Sequence, residues 1–186
     1  MRRALRFARL VDGVNRAAGR TVAWLTLAMV LVGAYNAVAR YVERDMGLSL
    51  SSNAYLELQW YLFSLVFLLG APYALRKGAH VRVDVLYGGH GVRGKAWIDL
   101  FGTILFLIPF CVFAIGISWE FVAESWAMRE MSSDPGGLPR WVLKPVVPLA
   151  FALLALQGVS EAIKRVAVLA GHDVVVEEAA GREGGM

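Results

Sequence analysis

One cysteine, Cys111, and three histidines, His80, His90 and His172, are all that this chain of 186 residues offers to a soft metal or a redox group. A lone cysteine makes no disulfide framework and no Cys-based metal site. None of the histidines falls in a long apolar run, so a membrane haem with axial histidines at bilayer depth is excluded. Also missing are a Gly-rich phosphate loop, an HExxH pair and a nucleophile elbow, so the chain reads as a non-enzyme without a cofactor of its own. Charge is scarce as well. Asp, Glu, Lys and Arg make up 18% of the chain against 58% hydrophobic residues, and the mean hydropathy is +0.54. That balance lies outside the range of soluble globular domains.

What is present is four apolar stretches, roughly 21–42, 54–75, 97–119 and 141–162. Each is long enough, at about 1.5 Å per residue, to cross a hydrocarbon core of about 30 Å. The pieces between them are too short to bury a core, which excludes a soluble catalytic or binding domain. The expected fold class is therefore all-α: an integral membrane protein with four transmembrane helices. Basic residues alternate loop by loop, fourteen in segments 1–20, 76–96 and the tail against three in the other two loops. By the positive-inside rule this places both termini and the middle loop in the cytoplasm. The net charge of +4 is thus used for topology, and no aromatic-basic interleaving points to nucleic acid. The first stretch is too long for a cleaved signal core and reads as an uncleaved signal anchor.

Three regions follow from this division. Residues 1–20 form a cationic amphipathic cytoplasmic segment, with Leu5, Phe7, Ala8, Val11, Val14 and Ala18 at mostly helical spacing among arginines, suited to a short helix on the inner leaflet. Residues 21–169 are the four-helix transmembrane domain, and 170–186 a Gly-rich, acidic tail expected to be disordered. The outer loop, 120–140, opens as a helical extension or an interfacial helix carrying Trp119, Val122 and Trp126 on one face. It then stops at Ser132-Ser133-Asp134-Pro135-Gly136-Gly137 and returns through Leu138-Pro139-Arg140-Trp141. No internal repeat is visible, which speaks against an inverted-repeat transporter contained in this one chain.

Arg40, Glu57, Asp99, Lys144 and Glu161 all sit near span ends, where long side chains reach the headgroups and desolvation is mild. The span centres carry no charge, so an ion-coupled carrier built from this chain alone lacks its usual equipment. Pro109 is placed to kink the third span. The tryptophans, Trp60 among them, mark span ends as an aromatic belt does. Two constellations remain. Arg40 and Glu57 lie at the same outer level and suit an ion pair closing helices one and two, either as a structural pin or as part of a docking surface. His80 and Asp84 are four apart, but two ligands do not make a metal site, and a hydrogen-bonded loop staple is the plainer reading.

Arg40-Tyr41-Val42, Glu57 opening the second helix, and Leu69-Gly70-Ala71 leading to Lys77-Gly78-Ala79-His80-Val81-Arg82-Val83-Asp84 form a recognisable order. With Gly137-Leu138-Pro139 before a Pro-containing fourth helix, this order resembles the small permease subunit of tripartite ATP-independent periplasmic (TRAP) transporters, the DctQ-like family. Ser133 to Pro139 with Leu156 to Glu161 looks like the branch labelled mannitol/chloroaromatic. The resemblance implies a sodium-coupled uptake system for organic acids. Its partners would be a large permease subunit, which holds the substrate and sodium sites, and a periplasmic substrate-binding protein. The small subunit would brace the large one and help to dock the binding protein. On that reading Arg40, Glu57, Trp60, His80, Asp84, Gly137 and Pro139 are candidate structural or subunit-interface residues. The alternatives are a free-standing four-helix membrane protein, such as a small exporter or an assembly factor, and a redox membrane subunit. An exporter of that type would need a carboxylate in its first span, which this chain lacks.

Overall fold

The computed structural model describes residues 2–46, 50–79 and 89–171. The expectations for His80, Asp84 and the tail from His172 lie outside the described residues. The chain forms α1 (Arg2–Met46), α2 (Asn53–Lys77), α3 (Val92–Gly102), a π-helical stretch (Thr103–Leu107), α4 (Ile108–Met128), α5 (Arg140–Leu143) and α6 (Val146–Leu169). Four rods result: α1, α2, α3 through α4, and α5 with α6, each long and apolar enough to cross a membrane. Among the described residues the only β-pairing is an isolated bridge between Met131 and Pro139.

Local chemistry sets the ends. Ser52 caps α2, its hydroxyl accepting from the Ala54 N–H at 3.2 Å. At the other end Gly78 takes a left-handed conformation, φ 67°, that directs its own N–H to Leu75 and that of Ala79 to Ala74, satisfying two terminal carbonyls. In the third rod Pro109 has no N–H to give, and its ring crowds the carbonyl of Leu105. The helix does not break; it widens into the π-helical stretch just before the proline.

α6 is central, packing against α1, α2, α3 and α4, while α1 and α2 lie side by side and α3–α4 rests mainly on α6. Close approach is made at glycines: Gly19 lies against the Tyr73 ring and Gly33 against the Gln59 amide. Gly158 of α6 faces the π-helical stretch, where an added Cβ would sit 3.0 Å from Leu107 Cδ2 and 3.4 Å from Thr103 Cγ2. Gly158→Leu should therefore destabilise the subunit by about 1–3 kcal/mol, the usual cost of overpacking. Thermal unfolding in detergent is the measurement, and an unchanged midpoint would mean that this contact is slack.

The N-terminal segment is not a separate helix. It is continuous with the first span in one helix of 45 residues, about 67 Å long at about 1.5 Å per residue. No proline interrupts the join, and Ala8, Val11, Asp12 and Asn15 are buried within the bundle. The outer-loop helix is an extension of the third rod, which runs on to Met128 and stops where Arg129 adopts φ 48°.

Candidate functional site

At the end of the bundle where α4 meets α5, the loop from Arg129 to Pro139 folds back on α2. Its ends are closed by Ser132 N–H donating to the Leu138 carbonyl at 3.2 Å and by Arg140 N–H donating to the Glu130 carbonyl at 2.9 Å. Its tip turns at Gly137, whose N–H reaches the Asp134 carbonyl at 3.0 Å, next to Gly136 with φ 74°. Glu57, only 2% exposed, holds this loop down. One carboxylate oxygen accepts from the Leu138 N–H at 2.5 Å and the other from the Ser132 hydroxyl. Asn53 and Tyr61, one turn to either side on α2, donate to the Pro135 and Leu138 carbonyls at 3.2 and 3.4 Å. Gly137 has to be glycine here, because a Cβ would lie 2.6 Å from Ser132 Oγ and 2.8 Å from the Glu57 carboxylate. Pro139, at φ −72°, precedes α5 and supplies its start.

A second carboxylate fastens the same loop to its flanking helices. Glu130 accepts from the Lys144 ammonium and from the Ser125 hydroxyl, the latter at 2.8 Å. The Lys144 hydrogen bond, then that of Ser125, hold its carboxyl below the usual carboxylate range. A depressed folded-state pKa means that this fastening is complete above the ordinary carboxylate pKa and is lost only as pH falls through the lowered value. Lys144 also stands 3.8 Å from the centre of the Phe121 ring, and Trp126 meets Trp141 edge to face at 4.6 Å.

The expected Arg40–Glu57 ion pair does not form. Glu57 faces the returning loop, where both its oxygens are taken, and Arg140 is the cation whose charge acts on it. Arg40 is exposed on α1. Its helical neighbour Glu43 instead secures the α1–α2 connection, accepting from the Ser51 N–H and hydroxyl, each at 2.5 Å. Of the sequence candidates, the structure thus brings together Glu57, Gly137 and Pro139. Trp60 is 46% exposed and edge to face with Tyr61, outside that clamp.

The opposite end of the bundle carries a buried polar cluster that the sequence reading missed. Asn15, Gln157 and Ser160 are fully buried, and Asp12 and Glu161 nearly so. Asn15 donates to the Gln157 carbonyl at 2.6 Å, and the Gln157 amide donates to Asp12 at 2.9 Å and to Glu161 at 3.0 Å. Lys164 bridges the carboxylates, 2.7 Å from Asp12 and 2.9 Å from Glu161. Beside them Arg165 pairs with Asp99 at 2.9 Å. The span-end charges of Asp99, Lys144 and Glu161 are thus all engaged within the chain. Each has an oppositely charged partner within the chain, which lowers the cost of holding charge near hydrocarbon. The signal that was available is Gln157, Ser160, Glu161 and Lys164 at three- and four-residue spacing on one apolar helix.

Residues 29–168 match the family model described as "Tripartite ATP-independent periplasmic transporters, DctQ component". The chain belongs to the DctQ family. No curated protein and no solved structure matches it. As a DctQ component it is a multi-pass membrane subunit of a TRAP transporter, a transporter component and not a member of an enzyme family. That membership displaces the free-standing exporter and redox readings. The DctQ match takes in the whole Glu57 clamp and the α6 half of the buried polar cluster. It begins after Asp12 and Asn15, so the α1 half lies outside the shared region.

Proposed function

We propose that this DctQ subunit is a static brace for the large permease subunit in a sodium-coupled, binding-protein-dependent uptake system for organic acids of the inner membrane. The observation that carries the proposal is where the charge is used. Glu57, Glu130, Lys144, Asp99, Arg165 and Lys164 near the span ends are tied to one another or to backbone, whereas Arg40 stands exposed, and the span centres carry no charge. A moving carrier needs groups that exchange partners with cargo, whereas fixed pairs at both ends of a bundle resist relative motion of its helices. Sodium and substrate sites then belong to the large subunit, and the loop held by Glu57 is the periplasmic ledge on which a binding protein rests.

Topology and partnership test this reading together. Reporter fusions after Ser52 and Asp134 should report the periplasm, and fusions after Gly89 and Gly181 the cytoplasm. The subunit should co-purify with its large permease subunit when both are expressed. A cytoplasmic signal at Asp134, or a large subunit that assembles and transports without this chain, would break the proposal.

A further inference from the structure

The brace must present one side of its bundle to the large subunit and the rest to lipid, and two of its exposed sides differ in chemistry. On α4 and the stretch before it, Phe106, Phe113 and Ile117 are each more than half exposed and wholly apolar. The nearby Ser118 hydroxyl is spent on the Ala114 carbonyl at 2.6 Å. Thr26 and Ser64 in the other spans likewise donate to the carbonyl one turn back, at 2.9 and 2.8 Å. Such hydroxyls need nothing from their surroundings.

The outward side of α1 and α2 is different. There an open groove of about 520 Å³ is lined by Met29, Leu56, Gln59, Trp60 and Phe63. The Gln59 side chain lies across Gly33, where a Cβ would come within 2.8 Å of its amide nitrogen. Among the described residues the Gln59 amide makes no hydrogen bond with any other group. Its position is about 8 Å from the midpoint of the 54–75 stretch at about 1.5 Å per residue, within the hydrocarbon. Further along α1, Asn36 is only 3% exposed and its carbonyl oxygen has no partner. An acyl chain filling the groove would leave the Gln59 amide unsatisfied at a cost of several kcal/mol, whereas a protein helix can supply a donor and an acceptor.

We infer that the groove between α1 and α2 around Gln59 is where a transmembrane helix of the large permease subunit packs, presenting a polar side chain or a free carbonyl to the amide. The α4 side then faces lipid. This assignment rests on the brace reading, and the experiment separates the two. A photocrosslinking benzoylphenylalanine is placed singly at Trp60, Phe63, Phe106 or Phe113 in the subunit co-expressed with its large partner, and complexes are irradiated in the membrane. Adducts to the large subunit are expected from Trp60 and Phe63 and not from Phe106 or Phe113. Gln59→Leu should lower recovery of the complex about fivefold, as loss of one interhelical hydrogen bond would. On a lipid-facing surface the same change would leave recovery equal or improved. Adducts from the α4 positions, from both sides equally or from none in an intact complex, or a Gln59→Leu complex recovered in full, would overturn the groove assignment and leave the brace standing. If unsubstituted subunits fail to co-purify, the brace reading itself fails and takes the assignment with it.

Discussion

Glu57→Ala should reduce uptake by the assembled transporter at least about tenfold while leaving the four spans inserted. The substitution strips the Leu138 N–H and the Ser132 hydroxyl of their acceptor at once. Hydrogen bonds to an ionised carboxylate contribute about 1.5–3 kcal/mol each, and a buried N–H left unpaired adds to the loss. Free energy of that size governs whether the ledge from Ser132 to Pro139 is ordered, because few other contacts hold it to α2. Each 1.4 kcal/mol corresponds to about tenfold in the ordered population. Glu57→Gln keeps one acceptor oxygen and should fall between wild type and alanine. Uptake in vesicles containing the whole complex, together with protease cleavage in the 130–140 loop, measures both consequences. Wild-type uptake by Glu57→Ala with an uncut loop would show that the clamp is dispensable.

The second large effect is expected at the opposite end. Lys164→Ala leaves Asp12 and Glu161 facing each other with their shared cation gone, although both are at least 90% buried. Removing one member of a buried ionic group typically costs about 3–5 kcal/mol, most of it from the charge left behind. The N-terminal part of α1 should then detach from α6, since Asp12, Asn15 and the Ala8 carbonyl are its polar attachments there. Hydrogen exchange over residues 2–20 reads this directly. The double change Asp12→Asn with Lys164→Met should recover part of the loss, because it removes one of the two carboxylate charges that Lys164 neutralises and leaves that of Glu161. Additive losses would mean that Lys164 acts independently of Asp12.

How far the chain could be read in advance depended on whether an interaction was local. The four spans follow from unbroken apolar runs, and the Pro109 distortion from the missing N–H, so both are legible from neighbouring residues. The partner of Glu57 was not, because a carboxylate at a span end is equally consistent with Arg40, a headgroup or a backbone donor. Its actual partners lie 75 and 81 residues away. Gly137 and Pro139 were noted as part of a family pattern, but the reason for Gly137, a Cβ colliding with Glu57, emerges only when the loop is closed. The buried polar cluster around Gln157 was hidden for a related cause. Asp12 and Asn15 sit among arginines and look solvated, and only docking against Gln157 and Lys164 turns them into a buried face. The same contacts fix the N-terminal segment as an extension of α1 and not as a free surface helix.

We propose that this subunit holds and does not carry, and reconstituted uptake separates the two roles. Three proteoliposome preparations are compared under an inward sodium gradient with the cognate binding protein and its loaded organic acid: this subunit alone, the large subunit alone, and both together. Uptake should appear only when both are present, and Gln59→Leu or Glu57→Ala should weaken it. Sodium-driven uptake by this subunit alone would contradict the claim.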